Sequence, residues 1–371
     1  MKLLLAGYYG AGNLGDEMML YCLRQWLAAQ GAGITVLSAC PDQVRRLHGL
    51  NAVEDVPLLG EWSWKHAWGR GVAFRLLRAI SKHDALAIGG GDLIRDDRGW
   101  RPFLTVLEKA VAARLMGKQV YLLNTGLGTP QTKYGRALLG WVLRRSRRII
   151  VRDQRSVEIC AALGASAAAA YAPDIVFRLP ALLEKVRLPV EGPYALVCLR
   201  GSANVFRRYE LTEGRVRAIA AGLDTMVERH GLRIVFLPFQ VAAGGDDEKL
   251  HHRVALAMRN RDAALVRPWS ADLPEIGASF AGCRFVLAMR LHAAVLATAY
   301  GKPCVSMPYD HKVVEFAKQF PMAGVAPAEA LDDPARFAET LETAANARGP
   351  AMPEQAARFW DTERLPLGSA G

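Results

Sequence analysis

Short apolar segments alternate with longer segments of helical periodicity along most of the chain. The runs "KLLLAG", "ITVLSA", "DALAIGGGD" and "QVYLLNTGLG" are continuously apolar, and several of them end in glycines. Helical patterns lie between them: the first is expected from about Asp16 to Ala29, and another begins at Asp153 or Ser156. Buried strands that alternate with helices are typical of parallel βαβ units, which bind ligands at the carboxyl ends of their strands.

The alternation stops at a proline-rich segment and then starts again. Pro180, Pro189 and Pro193 interrupt the pattern, after which "YALVCLRG", "LRIVFLPFQ" and "CRFVLAMRLHAAVLATAYGKPCVSMPY" resume it. We therefore predict an α/β protein with two doubly wound, Rossmann-like domains that face a cleft, the usual place for a ligand. The expected boundaries are 1–180 and 190–345, followed by a tail at 346–371 without an assigned role.

Composition narrows the class of partner. The chain has 371 residues, 51% of them hydrophobic, and 47 Lys+Arg against 36 Asp+Glu give it a net charge of +11. This charge suits an anionic partner such as a phosphorylated small molecule, a nucleic acid or an acidic membrane surface, although a solvated basic surface explains it equally well. Because the basic residues are dispersed and form no recognisable module, we expect no nucleic-acid partner.

The cysteines indicate a reducing compartment, and the apolar runs predict no membrane-spanning segment. The six cysteines form no CxxC pair and have no histidine at metal-ligand spacing, so we expect free thiols, no metal site and a cytoplasmic protein. The N-terminus is not typical of a signal peptide. The longest apolar stretch, Phe285–Gly301, contains Arg290 and His292 and is too short to span a bilayer. Any membrane contact is expected to be peripheral, at the inner face.

The segment "GYYGAGNLGDE" has the glycine spacing of a dinucleotide-binding turn but the wrong chemistry after it. Asp16 and Glu17 place two carboxylates where a pyrophosphate would bind, and Ser38 and Ala39 stand where an acidic ribose ligand is expected. Two readings remain. Either Asp16 only caps the helix, or Asp16 or Glu17 contacts a sugar hydroxyl and removes its proton.

Several cationic residues directly follow predicted strands in the second half of the chain. Arg290 and His292 lie at a strand-to-helix junction, and Lys312 follows the next strand. Together they predict an anion site, unless each is satisfied internally. Arg152 and Arg200 also end strands and extend the prediction to a polyanionic small ligand, although each alone is typical of a structural ion pair.

These segments resemble the polysaccharide pyruvyl transferase family. The resemblance rests on "GYYGAGNLGDE", "AIGGGDLI", "NTGLG", "VRDQRS", "APDIVF", "LPFQ" and "MRLHAAVLATAYGKPCVSMPYDHKV", in order from about residue 3 to 320, and is strongest to CsaB-type enzymes. It implies a fold similar to GT-B glycosyltransferases. It also implies transfer from phosphoenolpyruvate to two hydroxyls of a hexose, commonly N-acetylmannosamine, of a cell-wall or lipid-linked polysaccharide for S-layer anchoring, with release of phosphate.

The resemblance also implies residue roles. Arg290, Leu291, Lys312, Arg152 and, as a looser match, Arg200 correspond to donor-binding positions. His292 lies in the same donor-binding motif as Arg290 and Leu291. We expect two catalytic residues: His292, which supports the departure of phosphate or protonates the vinyl carbon, and Asp16, which deprotonates an acceptor hydroxyl. Asn13, Gly15 and Glu17 are expected on the acceptor side. Phosphoenolpyruvate is the co-substrate, and no further cofactor is implied.

Two other functions fit the same features. One is a GT-B glycosyltransferase that uses a nucleotide sugar. The other is a non-catalytic protein that binds anionic glycans, with Trp62, Trp64 and Trp68 of the basic segment 61–78 stacking on sugars or touching lipid.

Overall fold

The chain folds into two compact units. The structure, a computed structural model, describes residues 1–58, 71–97, 99–186, 190–201, 211–241, 246–351 and 354–366. The first unit comprises Met1–Ala11, Asp16–Ile175 and Gln355–Gly371, and the second comprises Gly12–Gly15 and Val176–Glu354. The segment expected as a tail, 346–371, is thus divided between the units. Its residues up to Glu354 belong to the second unit, and those from Gln355 belong to the first. Three tryptophans that were considered as sugar or lipid contacts lie outside the described residues: Trp62, Trp64 and Trp68.

Each unit contains one parallel sheet. The strands are β1 Lys2–Ala6, β2 Gly33–Ser38, β3 Asn51–Glu54, β4 Ala85–Gly89, β5 Gln119–Thr125, β6 Arg148–Val151, β7 Ala169–Tyr171, β8 Tyr194–Cys198, β9 Arg233–Phe236, β10 Ala264–Val266, β11 Phe285–Ala288, β12 Cys304–Ser306 and β13 Gly324–Val325. The first sheet has the order β3-β2-β1-β4-β5-β6-β7, and the second has the order β10-β9-β8-β11-β12-β13. Both orders reverse beside the first strand of their unit, as in doubly wound folds, which confirms the two Rossmann-like sheets predicted from the sequence.

Helices connect the strands. They are α1 Leu14–Ala28, α2 Pro41–His48, α3 Val72–Lys82, α4 Trp100–Leu115, α5 Lys133–Arg145, α6 Gln154–Ala162, α7 Leu179–Leu182, α8 Glu213–His230, α9 Asp247–Ala257, α10 Leu273–Gly282, α11 Leu291–Ala299, α12 His311–Gln319, α13 Pro334–Asn346 and α14 Glu354–Thr362. Asp153 caps α6 by accepting from the Ser156 N–H at 2.8 Å, which decides between the two predicted starts. Gly231, with φ 61°, ends α8 in the left-handed conformation that favours glycine.

The apolar runs form the cores because their strands are covered on both faces. Every residue of β4 and of β8 is buried, as continuous apolar sequence predicts for the central strands of a parallel sheet. The strands end where the glycine-rich and charged segments begin. The fold therefore presents those segments at the carboxyl edge of each sheet, which is where doubly wound proteins bind ligands.

The C-terminal helix α14 completes the first unit. Trp360 is fully buried, its ring packs edge-on against Trp26 at 5.1 Å, and its indole N–H donates to the Pro173 carbonyl at 3.0 Å. Asn124 donates to the same carbonyl at 3.1 Å and accepts from the Ile175 N–H at 2.8 Å. The last segment of the chain and the end of β5 thus fix the backbone just before it leaves the first unit.

Candidate functional site

In the second unit the strand order reverses between β8 and β11, and an arginine follows each of these strands. Arg200 comes shortly after β8, and Arg290 lies between β11 and α11. The N-cap residues of α11 and α12, Arg290 and Asp310, make no side-chain hydrogen bond to the first N–H groups of their helices, and both N-termini lie at this sheet edge. Lys312 lies in the first turn of α12. This edge therefore combines cationic side chains with two helix N-termini, the elements of an anion site.

The guanidinium of Arg290 is held by side chains of its own unit. Arg290 is 5% exposed, and it donates through Nε and Nη2 to the two carboxylate oxygens of Asp247 at 3.0 and 2.5 Å. Its Nη1 donates to Gln240 Oε1 at 3.0 Å. The planar fork of Arg290 is thus occupied by partners within its own unit. What Arg290 offers a ligand is its positive charge and its remaining N–H groups rather than a free bidentate fork.

Asp247 joins three loops at this edge. It is fully buried and accepts from the backbone N–H groups of Gly201, Phe239 and Gln240 at 2.9 to 3.0 Å, in addition to Arg290. These N–H groups follow β8 and β9, whereas Arg290 follows β11. A buried carboxylate with several donors and a guanidinium partner is fully paired, and it fixes the backbone on which the cationic side chains stand.

Tyr309 lies among the cationic groups. It is 4% exposed, and its hydroxyl accepts a hydrogen bond from Arg200 Nη1 at 2.6 Å, while the Arg200 guanidinium lies 4.6 Å from the ring centroid. Burial by itself raises the pKa of Tyr309, but the charges of Lys312, Arg200 and Arg290 outweigh it and lower that pKa below its usual value. The charges of Lys312, Arg200 and Arg290 therefore all act on the Tyr309 hydroxyl. An anion site requires several cations close together in this way.

The glycine loop of the N-terminal motif belongs to this unit. The Leu14 N–H donates to the Phe239 carbonyl at 2.8 Å, and Asn13 pairs with Gln240 in a short antiparallel bridge. A Cβ on Gly15 would lie 2.1 Å from His292 Nδ1, so the imidazole occupies the space that any side chain at position 15 would fill. The predicted Asn13, Gly15 and His292 are thus neighbours.

A second histidine, His251 in α9, lies behind the cluster. Its Nε2 accepts from the Leu199 N–H at 3.1 Å, and its ring packs against Phe236. Burial lowers the pKa of His251 to about 4, with the charge of Asp247 opposing that effect. His251 is therefore neutral at physiological pH and serves to hold the backbone after β8.

In the first unit the two motif carboxylates have different surroundings. Glu17 is fully buried, accepts from the Gly10 N–H at 2.8 Å and bonds His48 Nε2 at 2.7 Å. Both oxygens of Glu17, predicted as an acceptor-side residue, thus have partners inside the first unit. The carboxylate also takes a loop N–H that a phosphate would have needed, as expected from the sequence.

Asp16 is buried, with 8% of its surface exposed, and lies at the carboxyl edge of the first sheet. One carboxylate oxygen is 3.5 Å from where a Cβ on Gly91 would lie, just after β4. Burial and then the charge of Asp16 raise the pKa of Tyr8, a residue after β1 that is 40% exposed. Asp16 thus lies where the strand order of the first sheet reverses, which suits a residue that contacts a ligand.

Arg152 lies at the same edge of the first sheet, after β6. Its guanidinium is 3.8 Å from Asp174, and its Nε and an oxygen of Asp92 lie within 3.3 Å of where a Cβ on Gly126 would be. The bare backbone at Gly126 allows both side chains to approach. Arg152 therefore belongs to the first unit, whereas Arg200, Arg290 and Lys312 belong to the second.

Comparison with known proteins decides the family. The family model for polysaccharide pyruvyl transferases matches residues 13–311, from the glycine loop to the start of α12. The chain belongs to the polysaccharide pyruvyl transferase family. A curated relative, the amylovoran biosynthesis protein AmsJ of Erwinia amylovora, is 21% identical over 373 residues, which cover 88% of each chain.

Solved structures share the fold. The UDP-GlcNAc 2-epimerase of Methanocaldococcus jannaschii has a TM-score of 0.63 at 13% identity, covering 97% of this chain and 98% of its own. The UDP-GlcNAc 2-epimerase of Neisseria meningitidis, solved with UDP-GlcNAc, has a TM-score of 0.61 at 13% identity with the same coverage. At this identity the likeness shows the architecture, a GT-B-like pair of Rossmann-like units, which confirms the predicted fold class.

Three functional candidates of this pyruvyl transferase were missed in the sequence. Asp247 follows the cap residue Asp246 at the start of α9, and it pairs with Arg290, which lies far from it in the sequence. Gln240 and Tyr309 stand in the motifs "LPFQ" and "PYDHKV" but carry no charge. The position of Gln240 and Tyr309 shortly after buried strands could have identified them, because such residues lie at the edge of the sheet where ligands bind.

In the ranges that the structure describes, no group of three His, Cys, Asp or Glu side chains is arranged to hold a metal ion. No helix among the described residues is long and apolar enough to cross a membrane.

Proposed function

We propose that this protein transfers the enolpyruvyl group of phosphoenolpyruvate to a hexose of a cell-wall or lipid-linked polysaccharide, with N-acetylmannosamine as the expected sugar. Two acceptor hydroxyls become a pyruvate ketal, and phosphate is released. Membership of the pyruvyl transferase family supports polysaccharide pyruvylation in general. The observation that carries the donor assignment is the convergence of Arg200, Arg290 and Lys312 on Tyr309.

The chemistry of the donor matches this cluster. Phosphoenolpyruvate carries a carboxylate and a phosphate on neighbouring atoms, so it needs several cations and N–H donors in a small space. Lys312 and the N-terminus of α12 supply one such position, and Arg200 with the N-terminus of α11 supplies another. His292, in the first turn of α11, is the group we assign to the departing phosphate.

Two residues of the first unit, Asp16 and Arg152, and two of the second unit, Asn13 and Gly15, have the remaining proposed roles. Asp16 accepts the proton of an acceptor hydroxyl as its oxygen attacks C2, and Arg152 provides a further positive charge for the donor. Asn13 and Gly15 stand beside His292 and are assigned to the acceptor side of the reaction. The CsaB-type acceptor and the link to S-layer anchoring remain part of the proposal.

The test combines binding and turnover. Phosphoenolpyruvate, UDP and UDP-GlcNAc are compared by thermal shift at equal concentration, since a ligand that binds only the native state raises Tm by mass action. Phosphate release is then measured with phosphoenolpyruvate and an N-acetylmannosamine acceptor. Stabilisation by phosphoenolpyruvate together with acceptor-dependent phosphate release supports the proposal. Stabilisation by UDP alone would instead indicate a nucleotide-sugar enzyme of the kind its fold relatives represent.

Matched variants localise the site. Lys312→Ala should remove the shift caused by phosphoenolpyruvate, whereas Lys318→Ala, in the same helix but exposed and paired with Glu315, should keep it. His292→Ala should lose phosphate release by about 10²- to 10⁴-fold, and the exposed His252→Ala should not. Arg290→Ala is a poor probe, because it leaves the buried Asp247 carboxylate without its partner.

A further inference from the structure

The hydroxyl of Tyr309 has a proton that its observed hydrogen bond does not use. Tyr309 lies in the short loop between β12 and α12, and Arg200 Nη1 is 2.6 Å from the phenol oxygen. A guanidinium can only donate, so the phenol oxygen accepts in this bond and its own O–H remains directed elsewhere. Within the described part of the chain, Arg200 is the side chain that bonds this hydroxyl.

The groups that face Tyr309 favour release of that proton. Arg200 follows β8, Arg290 follows β11, and Lys312 and Asp310 flank the start of α12. Burial raises the pKa of Tyr309 and Asp310 adds to that rise, but the three cations prevail and the pKa is lowered. The phenolate that proton release would leave is therefore stabilised by charges already in place.

The proposed reaction needs such a group. Formation of the ketal requires a proton on C3 of phosphoenolpyruvate, which becomes the methyl carbon, before C2 can be attacked. We propose that Tyr309 is the catalytic acid that protonates C3, a role that rests on the function proposed above. His292 is then left to act on the phosphate, so the two protonation events have separate donors.

The O–H bond of Tyr309 breaks while the electron pair of the C2=C3 bond forms the new C3–H bond, which leaves C2 as an oxygen-stabilised cation. The first acceptor oxygen then bonds to C2. Phosphate leaves with the electrons of its C2–O bond, and the second acceptor oxygen closes the ketal. The two acceptor hydroxyls release two protons, one of them by way of Asp16. One proton restores the phenol, and the other leaves with phosphate or solvent.

The experiment is the pH profile of kcat in Tyr309→Phe and in protein with 3-fluorotyrosine at position 309. An acid must be protonated to act, so the wild-type rate should fall as pH rises through the pKa of Tyr309, below the ordinary tyrosine value. Tyr309→Phe should lower kcat by about 10²- to 10⁴-fold, remove this alkaline limb and keep the thermal shift caused by phosphoenolpyruvate. The more acidic 3-fluorotyrosine should move the limb to lower pH. Tyr134→Phe, at a tyrosine that is 68% exposed, is the control and should change neither quantity.

The outcomes separate the two proposals. Wild-type protein without phosphoenolpyruvate-dependent phosphate release would overturn the proposed function, and the role of Tyr309 with it. Normal wild-type turnover with an unchanged kcat in Tyr309→Phe, or with a loss confined to KM, would overturn the acid role alone. If Tyr309→Phe fails to fold, the fluorinated protein decides the matter because it keeps the hydroxyl: an unmoved alkaline limb would contradict the proposal.

Discussion

Each unit contains a buried carboxylate that fixes loops at the carboxyl edge of its own sheet. Glu17 holds the Gly10 N–H and His48, and Asp247 holds three backbone N–H groups and Arg290. In the sequence both stand among the first residues of a helix, beside Asp16 and Asp246. A carboxylate there can cap the helix, bind a ligand or pair with a distant cation, and only the third dimension distinguishes these roles.

Gly15 gives the most direct test of the site at the scale of a residue. Gly15→Ala would place a methyl group 2.1 Å from His292 Nδ1, so the imidazole has to move. We expect phosphate release to fall by roughly 10²-fold, the effect of a displacement of about 1 Å in a catalytic group. Gly214→Ala is the matched control, because it is also the second residue of a helix and its nearest neighbour is 3.9 Å away. Equal activities of the two variants would show that His292 does not need its present position.

His251 predicts a pH dependence of stability. Its folded-state pKa of about 4 lies below the ordinary value of 6.5, so between these values the unfolded chain binds a proton that the folded protein refuses. The free energy of unfolding should therefore rise with pH from about 4 to 6.5, by about 3 kcal/mol from this residue alone.

The measurement is urea unfolding over that pH range for wild type, His251→Gln and His252→Gln. The amide oxygen of a glutamine at position 251 can still accept from the Leu199 N–H, but it does not titrate. The slope of stability against pH should become shallower in His251→Gln and stay as in wild type in His252→Gln, whose side chain is exposed on the same helix. Parallel curves for all three proteins would mean that His251 titrates alike in both states.

At the scale of elements, the sequence predicted what depends on periodicity. Both parallel sheets follow from short apolar runs between helical patterns, and the runs that end in glycine or arginine mark the ligand edge. The strands β7, β10 and β13 were not predicted. They have only two or three residues each, too few to show a hydrophobic periodicity. The cations were predicted to form one anion site, but their position around Tyr309 depends on which strands are adjacent, and the sequence does not state that.

At the scale of the whole molecule, the chain leaves the first unit and later returns to it. Residues 355–371 belong with Met1–Ala11 and Asp16–Ile175, although they lie at the far end of the sequence. The return is carried by α14, where Trp360 is buried against Trp26 and Arg148 forms an ion pair with Glu363 at 2.7 Å. From the sequence we predicted a tail of a helix followed by a proline-containing loop. Its local pattern does not indicate that Trp360 packs against Trp26, more than three hundred residues away.

Trp360→Ala tests whether this return stabilises the first unit. The substitution removes a fully buried indole and its bond to the Pro173 carbonyl, and should lower the free energy of unfolding by about 3–5 kcal/mol. Thr362→Ala, at an exposed position of the same helix, should change stability by less than about 0.5 kcal/mol. Hydrogen exchange locates the effect: amides of β1 and β5 should lose protection, while those of β8 and β11, in the other unit, should keep it. Equal loss in both sheets would show that α14 stabilises the molecule as one cooperative body rather than the first unit alone.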